Sequence, residues 1–228
     1  MHGSCAPTTT SKTLPVTELR NQRFLVIGAT GGLGVALVEA LNEKGAEVIA
    51  IAKSGPFGLD ITSEDARRQL CELVVAHDGI DGVIVASGLV GFGVHGTLDS
   101  ADIAQLIDID LVAPLQVLND LIPHVHDGGN ITVITGAVVD FATLGMATYT
   151  AAKAGLSASC AVLRRELRSR KISVLDARPP HTETGLSTRP LYGAAPALKE
   201  GLSPTVVAER ILAGIENGET ELPPALFS

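Results

Sequence analysis

A glycine-rich turn between an apolar run and a helical period constrains the fold of this chain more than any other feature. The apolar run covers residues 24–27, and the turn reads Gly28-Ala-Thr-Gly-Gly-Leu-Gly34, with the spacing Gly-x3-Gly-x-Gly. Glycines allow a tight turn and let the backbone approach a ligand closely. The free N–H groups at the start of a helix attract an anion. We therefore predict a strand–turn–helix unit that binds phosphate; the plainer alternative is an ordinary glycine-rich turn.

Short apolar runs alternate with helical periods along the rest of the chain, which predicts an α/β fold. Predicted strands cover residues 23–28, 46–52, 82–87, 129–135 and 172–178, with a short one at 57–60, and predicted helices cover 32–44, 63–77, 100–122, 146–170 and 204–217. This alternation is typical of a mostly parallel, doubly wound sheet, here of about six strands in a single domain over residues 21–228. Residues 1–20, rich in Thr, Ser and Pro, are predicted to be a flexible extension.

The composition argues against several classes of protein. The net charge is −8, whereas a protein that binds nucleic acid needs a basic face, so we expect no nucleic-acid partner. No apolar run approaches the length of a membrane span, and the polar N-terminus lacks the apolar core of a secretory signal. The three cysteines are isolated and suggest neither disulfides nor a metal site. A cytoplasmic protein without membrane contact or metal is expected.

The end of the second strand bears on which dinucleotide the turn would bind. An acid at this place binds the ribose 2′-hydroxyl of NAD, whereas a cation accommodates the 2′-phosphate of NADP. Here the strand ends Ala52-Lys53-Ser54, and no acid lies between Val48 and Leu59. We predict NADP, with Lys53 and Ser54 near the 2′-phosphate. NAD stays an alternative, and Lys53 could instead be a solvated surface lysine.

Tyr149 and Lys153 stand four residues apart near the start of an alanine-rich helix. Side chains at positions i and i+4 share one face of a helix, so the phenol and the ammonium can meet. A free tyrosine has a pKa of about 10, and a nearby cation lowers it. The pair can therefore exchange a proton with an alcohol or a carbonyl compound, although a chance surface pair would show the same spacing.

With the glycine turn, Asp60, Gly88, and Tyr149 with Lys153, the chain resembles the short-chain dehydrogenase/reductase family of smaller bacterial type. The resemblance implies a Rossmann-type domain, a catalytic tyrosine, and a lysine that binds the nicotinamide ribose. It also implies a homodimer or homotetramer formed through the two long helices. The dinucleotide site implied by residues and resemblance together consists of Gly28, Thr30, Gly31, Gly32, Leu33, Gly34, Lys53, Ser54, Asp60, Ile61, Ala86, Ser87, Gly88, Tyr149, Lys153, Pro179, Thr182 and Thr184.

The chain departs from the family at the catalytic serine. That residue normally lies thirteen positions before the tyrosine, where this chain has Gly136. Loss of one preorganised donor to a developing oxyanion costs on the order of 10²–10³ in rate. Thr135 could replace the hydroxyl only if the chain turns or bulges there, because adjacent strand residues face opposite ways. His181 and Thr182 are further candidate donors, although a solvated loop histidine is the favoured interpretation of His181.

Three other family positions also differ. The family turn Asn-Asn-Ala-Gly reads Val85-Ala86-Ser87-Gly88, and its Pro-Gly turn reads Pro179-Pro180. The family asparagine that anchors a proton-relay water aligns with Asp110, which is therefore a candidate for the proton-transfer machinery. No additional strand is evident in residues 219–228.

Three functions are open from the sequence. The first is an NADP-dependent oxidoreductase that transfers hydride between the cofactor and a small carbonyl or alcohol substrate, with residues 181–202 as a substrate loop. The second is a dinucleotide-binding sensor or partner protein with a degenerate active site, which Gly136 favours. The third is a structural α/β domain without a cofactor, against which the glycine turn argues.

Overall fold

The computed structural model describes residues 18–54 and 58–227, and its centre is a sheet of six strands. The strands are β1 (Arg23–Ile27), β2 (Glu47–Ile51), β3 (Ile80–Val85), β4 (Val125–Ile134), β5 (Ser173–Ala177) and β6 (Glu221–Leu222). Every neighbouring pair is parallel, in the order β2-β1-β3-β4-β5-β6. The predicted doubly wound α/β fold is confirmed, and the sheet is all-parallel rather than mostly so.

Helices connect the strands and begin at the positions that the sequence marks. They are α1 (Gly32–Glu43), α2 (Glu64–Ala76), α3 (Ser100–Ile107), α4 (Ala113–Leu121), α5 (Ala147–Glu166) and α6 (Pro204–Glu216). The side chain of Ser63 accepts a hydrogen bond from the Ala66 N–H and caps α2. Ser203 caps α6 in the same way, and Pro204 occupies the first helical position, where a missing N–H costs nothing.

Two apolar cores hold the helices on the two faces of the sheet. Alternate residues of a strand point to opposite faces. In β1, Leu25 and Ile27 belong to the core that includes residues of α2, α4 and α5. Phe24 and Val26 belong to the opposite core, which includes residues of α1 and α6. Both faces of the sheet are therefore covered, as the apolar strands require.

The structure corrects two expectations about strands. The short strand expected at 57–60 is reduced to a single parallel bridge between Ala52 and Gly58, and residue 57 lies outside the described residues. No strand was expected in 219–228, yet β6 forms there as a two-residue edge strand. It pairs with β5 because the Asp176 N–H donates to the Thr220 carbonyl and the Arg178 N–H donates to that of Leu222.

Two other boundaries also differ from those expected. The helix expected over 100–122 is interrupted by a π-helical turn, Asp108–Val112, between α3 and α4. Leu19, which was expected to belong to a flexible extension over 1–20, is 1% exposed and packs in the core with α1 and α6. Residues 1–17 lie outside the described residues.

The strand order places a crevice at the carboxyl ends of β1 and β3. Chain connections run in opposite directions from these two neighbouring strands, and ligands of open α/β sheets bind at such a switch point. The glycine turn follows β1, and the segment Ala86-Ser87-Gly88 follows β3. These two segments form two walls of the candidate site.

Candidate active site

Close packing of the glycine turn explains why its residues must lack side chains. Gly28 has φ +88°, and a Cβ there would lie 2.6 Å from the Ser87 backbone nitrogen. A Cβ on Gly32 would lie 2.7 Å from the Cα of Thr184, and one on Gly34 would collide with the carbonyl oxygen of Gly28. Helix α1 then begins after Gly31 without a side-chain cap or an acid in its first turn. Its first N–H groups are thus available to a phosphate.

Thr30, Gly31 and Leu33 complete this turn. Thr30 is exposed, and Gly31 and Leu33 line the cleft that also contains Tyr149 and Lys153. Four of the positions expected to contact a pyrophosphate, residues 31–34, therefore line the cleft at the switch point.

Lys53 and Asp60 meet beside this turn. The Lys53 Nζ lies 2.8 Å from an Asp60 carboxylate oxygen, and its side chain is 80% exposed. Lys53 and two hydrogen bonds from Thr62 hold the pKa of Asp60 below its usual value, against the opposing effect of burial. Ser54 is exposed next to Lys53, whereas the Ile61 side chain is buried in the core. Ile61 can therefore contact a ligand only through its backbone.

The segment after β3 supplies a second wall. Ala86, Ser87 and Gly88 all line the cleft. The Ser87 hydroxyl oxygen is buried and has no hydrogen-bond partner among the described residues. Burial of a hydroxyl without a partner is costly, so this atom fits a site whose ligand completes it.

Tyr149 and Lys153 come together on the first turns of α5, as their spacing predicts. The Lys153 Nζ lies 5.8 Å from the centre of the Tyr149 ring and 3.4 Å from the Ile134 carbonyl oxygen, to which it donates. Lys153 is 4% exposed, and Tyr149 is partly buried. Burial, and secondarily the negative charge of Asp110, raises the pKa of Tyr149 above its ordinary value.

Gly136, at the position of the family serine, has empty space where a side chain would begin. Gly136 has φ +85° and ψ 161°, and no atom lies within 4 Å of the place where its Cβ would be. Thr135 does not fill the gap, because its hydroxyl donates to Asp176 at 2.5 Å on the neighbouring strand β5. The Ser157 hydroxyl donates to the other oxygen of the same carboxylate at 2.6 Å. This geometry contradicts the suggestion that Thr135 supplies the missing hydroxyl.

The loop after β5 closes the cleft from the other side. Pro179 is buried, and its carbonyl accepts a hydrogen bond from the Ala137 N–H. The Thr182 hydroxyl donates to the Pro180 carbonyl, which engages it locally. Thr184, a member of the expected dinucleotide site, packs against Gly32 and lines the cleft. The His181 imidazole lies 3.3 Å from the Glu183 carboxylate and is partly exposed.

The cleft has a volume of about 490 Å³ and a largely apolar substrate end. The apolar residues that line this end and that sequence reasoning missed are Val90, Phe92, Val138, Phe141 and Met146. The sequence gives only a weak signal for them, namely apolar residues placed between glycines after β3 and before α5. The substrate loop is fixed against the same wall, because the Leu191 N–H donates to the Val90 carbonyl and the Phe92 N–H to that of Tyr192.

The residues present fit a dinucleotide. The turn offers uncapped helix N–H groups, and glycines stand wherever a side chain would block a close approach. One buried polar atom of a residue that lines the crevice, the Ser87 hydroxyl, has no partner in the described parts of the chain. Fold and site together define an α/β protein of the dinucleotide-binding class, with a tyrosine–lysine pair in the same cleft as the glycine turn.

Comparison with known proteins agrees with this class. Residues 22–190 match the family model for short chain dehydrogenase, and the chain belongs to that family. It is 25% identical over 193 residues to a 3-oxoacyl-[acyl-carrier-protein] reductase of Thermotoga maritima, which covers 75% of this chain and 78% of that protein. It is 26% identical over 200 residues to an uncharacterised oxidoreductase of Methylorubrum extorquens, with 78% and 81% covered.

Solved structures have the same fold. A short-chain dehydrogenase from Burkholderia cenocepacia in complex with NADP superposes with a TM-score of 0.80 at 22% identity, covering 91% of this chain and 90% of that one. The protein lin1944 of Listeria innocua superposes with a TM-score of 0.76 at 24% identity, covering 89% and 98%. Across residues 18–54 and 58–227, no helix combines the length and apolar character needed to cross a bilayer.

Proposed function

We propose that this protein is an NADP-dependent oxidoreductase that interconverts a small carbonyl compound and its alcohol. The observation that carries the proposal is the meeting of Tyr149 and Lys153 in one cleft with an uncapped, glycine-lined helix start. The fold and the family agree with this function. The apolar substrate end, with Phe92 and Phe141, favours a carbonyl compound with an apolar body.

The chain's own residues divide the chemistry between them. The uncapped start of α1 would hold the pyrophosphate, and Lys153 would hold the nicotinamide ribose. When bound, the reduced cofactor supplies the hydride that the carbonyl carbon accepts. The carbonyl oxygen gains the electron pair of the broken π bond and takes the proton of Tyr149. Solvent water then returns a proton to the phenolate.

Replacement of Tyr149 by Phe tests the assignment. Tyr149→Phe removes the proton donor but keeps the ring, so kcat should fall about 10²–10⁴-fold while the Kd for NADPH changes little. Turnover is measured by NADPH oxidation against aldehydes, ketones, quinones and imines, and binding by calorimetry. Tyr192→Phe, on the substrate loop, is the matched control and should keep its activity. Full activity of Tyr149→Phe would refute the proposed role.

The preference for NADP is proposed from Lys53. Its ammonium is exposed at the carboxyl end of β2, where a 2′-phosphate would lie, and Asp60 neutralises it in part. Because a charge-assisted hydrogen bond contributes about 1.5–3 kcal/mol, Lys53→Ala should weaken NADP binding about 10–100-fold and leave NAD binding nearly unchanged. Lys44→Ala, at a surface pair with Glu216, is the control. Equal affinity of the wild type for the two cofactors would contradict the preference.

A dinucleotide-binding sensor with a degenerate active site is the second candidate. The open space at Gly136 and the engagement of Thr135 with Asp176 favour it, because neither residue presents a hydroxyl to the carbonyl oxygen. The same substrate screen discriminates between the two functions. NADPH binding without turnover by the wild-type protein would favour the sensor.

We also propose a homodimer or homotetramer formed through the long helices. Val112 in the π-helical turn, Leu115 on α4 and Val162 on α5 are apolar side chains that are 36%, 37% and 54% exposed, respectively. Apolar side chains at a surface suit a contact between copies of the chain. The oligomeric state in solution tests this proposal.

A further inference from the structure

Asp110 is a buried acid for which the proposed chemistry has no direct use. It lies in the π-helical turn between α3 and α4 and is 0% exposed. One carboxylate oxygen accepts a hydrogen bond from the Leu89 N–H at 2.8 Å. The other is buried without a partner among the described residues. A buried carboxyl group is expensive unless a charge or hydrogen bonds compensate it, so its surroundings must explain its presence.

Lys153 is the cation that faces it. A Cβ on Gly88 would lie 3.0 Å from the Asp110 oxygen that accepts from Leu89 and also 3.0 Å from the Lys153 Nζ. The bare Cα of Gly88 thus leaves both charged groups facing the same small space. Lys153 is buried as well; it donates a 3.4 Å hydrogen bond to the Ile134 carbonyl and lies 5.8 Å from the centre of the Tyr149 ring.

The groups around Asp110 form a neutral set. Helix α5 presents Lys153 and Tyr149 to it, and the segment after β3 presents the Leu89 N–H. Burial raises the pKa of Asp110 above its usual value, and the Lys153 charge and the Leu89 hydrogen bond offset this only in part. A buried ammonium needs a counter-charge, and Asp110 is the acid placed to provide it.

This pairing changes what Lys153 does to Tyr149. A lone ammonium beside the phenol would favour the phenolate, but a carboxylate next to that ammonium offsets its field. We propose that Asp110 is the buried counter-charge of Lys153 and that it keeps Tyr149 as a neutral phenol at neutral pH. The site then acts as a proton donor to a carbonyl oxygen, and the protein works as a reductase. Oxidation of alcohols, which needs the phenolate, would begin only at alkaline pH. The direction of the reaction rests on the proposed function, whereas the state of Tyr149 does not.

The composition of the chain allows a direct test. It contains two tyrosines and no tryptophan, so in Tyr192→Phe all near-ultraviolet tyrosinate absorption comes from Tyr149. The full-length variant is titrated spectroscopically, and circular dichroism at each pH confirms that the fold persists. We expect no phenolate below pH about 10, the value of a free tyrosine. A midpoint between about pH 6 and 9 would overturn the proposal, whether or not any further variant folds.

Removal of the charge gives the second measurement. In Tyr192→Phe combined with Asp110→Asn, which keeps the shape of the side chain, the Tyr149 midpoint should fall by about one pH unit or more. Asp108→Asn, an exposed acid in the same π-helical turn, is the matched control and should leave the midpoint in place. An unchanged or higher midpoint in Asp110→Asn would contradict the proposal. The titration needs neither cofactor nor substrate, so its outcome is independent of the proposed enzymatic function.

Discussion

Substitution of Gly136 tests whether the backbone conformation at this position excludes the serine that the family normally has there. The values φ +85° and ψ 161° lie in a region that is essentially restricted to glycine, where another residue costs about 1–3 kcal/mol. Space is not the obstacle, because no atom lies within 4 Å of the Cβ position. We therefore expect Gly136→Ala and Gly136→Ser to lose about 1–3 kcal/mol of stability each, through the backbone alone.

Relaxation of the turn would not avoid this cost. The Gly136 N–H donates to the Ala177 carbonyl at 3.3 Å, and the Ala137 N–H donates to that of Pro179 at 2.9 Å. Rotation of Gly136 into an ordinary conformation would break these bonds, each of which contributes about 0.5–1.5 kcal/mol. Keeping the strained conformation and relaxing the turn therefore cost about the same free energy of unfolding.

Urea denaturation at fixed protein concentration measures the loss. With a slope of about 2–3 kcal/mol per M, the midpoint should fall by about 0.3–1.5 M in both variants. Comparison of Ser with Ala at position 136 isolates the hydroxyl. We expect Gly136→Ser to gain much less than the 10²–10³ in rate that a preorganised donor supplies, because a strained turn does not aim the side chain as a strand would. A Gly136→Ser variant as stable as the wild type and over about 100-fold faster would refute the reasoning.

Two further predictions concern the core and the surface. Asp176→Ala leaves the Thr135 and Ser157 hydroxyls without their buried carboxylate acceptor. Urea unfolding should therefore show that the free energy of unfolding falls by about 3–5 kcal/mol, and by less in Asp176→Asn. A fall below about 1 kcal/mol in Asp176→Ala would contradict this reasoning. Val162→Glu should dissociate the proposed oligomer in analytical ultracentrifugation, whereas Val75→Glu, equally exposed on α2, should not. A monomeric wild type would remove the second prediction.

Local patterns were sufficient for the long elements and for the dinucleotide end of the site. The apolar run before Gly28 and the helical period after it predict β1, the turn and α1 within one or two residues. The caps Ser63 and Ser203 mark α2 and α6 because a hydroxyl that accepts a helix N–H is a local interaction. Tyr149 and Lys153 meet because their spacing alone places them on one face of α5.

Contacts between distant segments decide what sequence reasoning missed. Two-residue β6 is too short for any alternating pattern, and backbone bonds to β5 from Asp176 and Arg178 define it. The partner of Thr135 lies 41 residues away on the next strand. A carboxylate inside the apolar run of β5 was the available signal, since a buried acid needs a partner. The π-helical turn that carries Asp110 interrupts a stretch whose apolar period continues through it.

Three acidic side chains compensate polar or charged groups in and around the site, which lies within a largely apolar fold. Asp60 pairs with Lys53, Asp176 accepts from the hydroxyls of Thr135 and Ser157, and Asp110 faces Lys153. Asp176 and Asp110 come from segments distant from their partners, so these contacts form only when the sheet and helices have assembled, whereas Asp60 and Lys53 lie close together in the chain. A carboxylate next to a cation offsets part of its charge, so the cation shifts the pKa of other neighbouring groups less than a lone cation would. The acidity of Tyr149 therefore depends on both members of its neighbouring pair, and a substitution at Asp110 should alter the phenol without touching it.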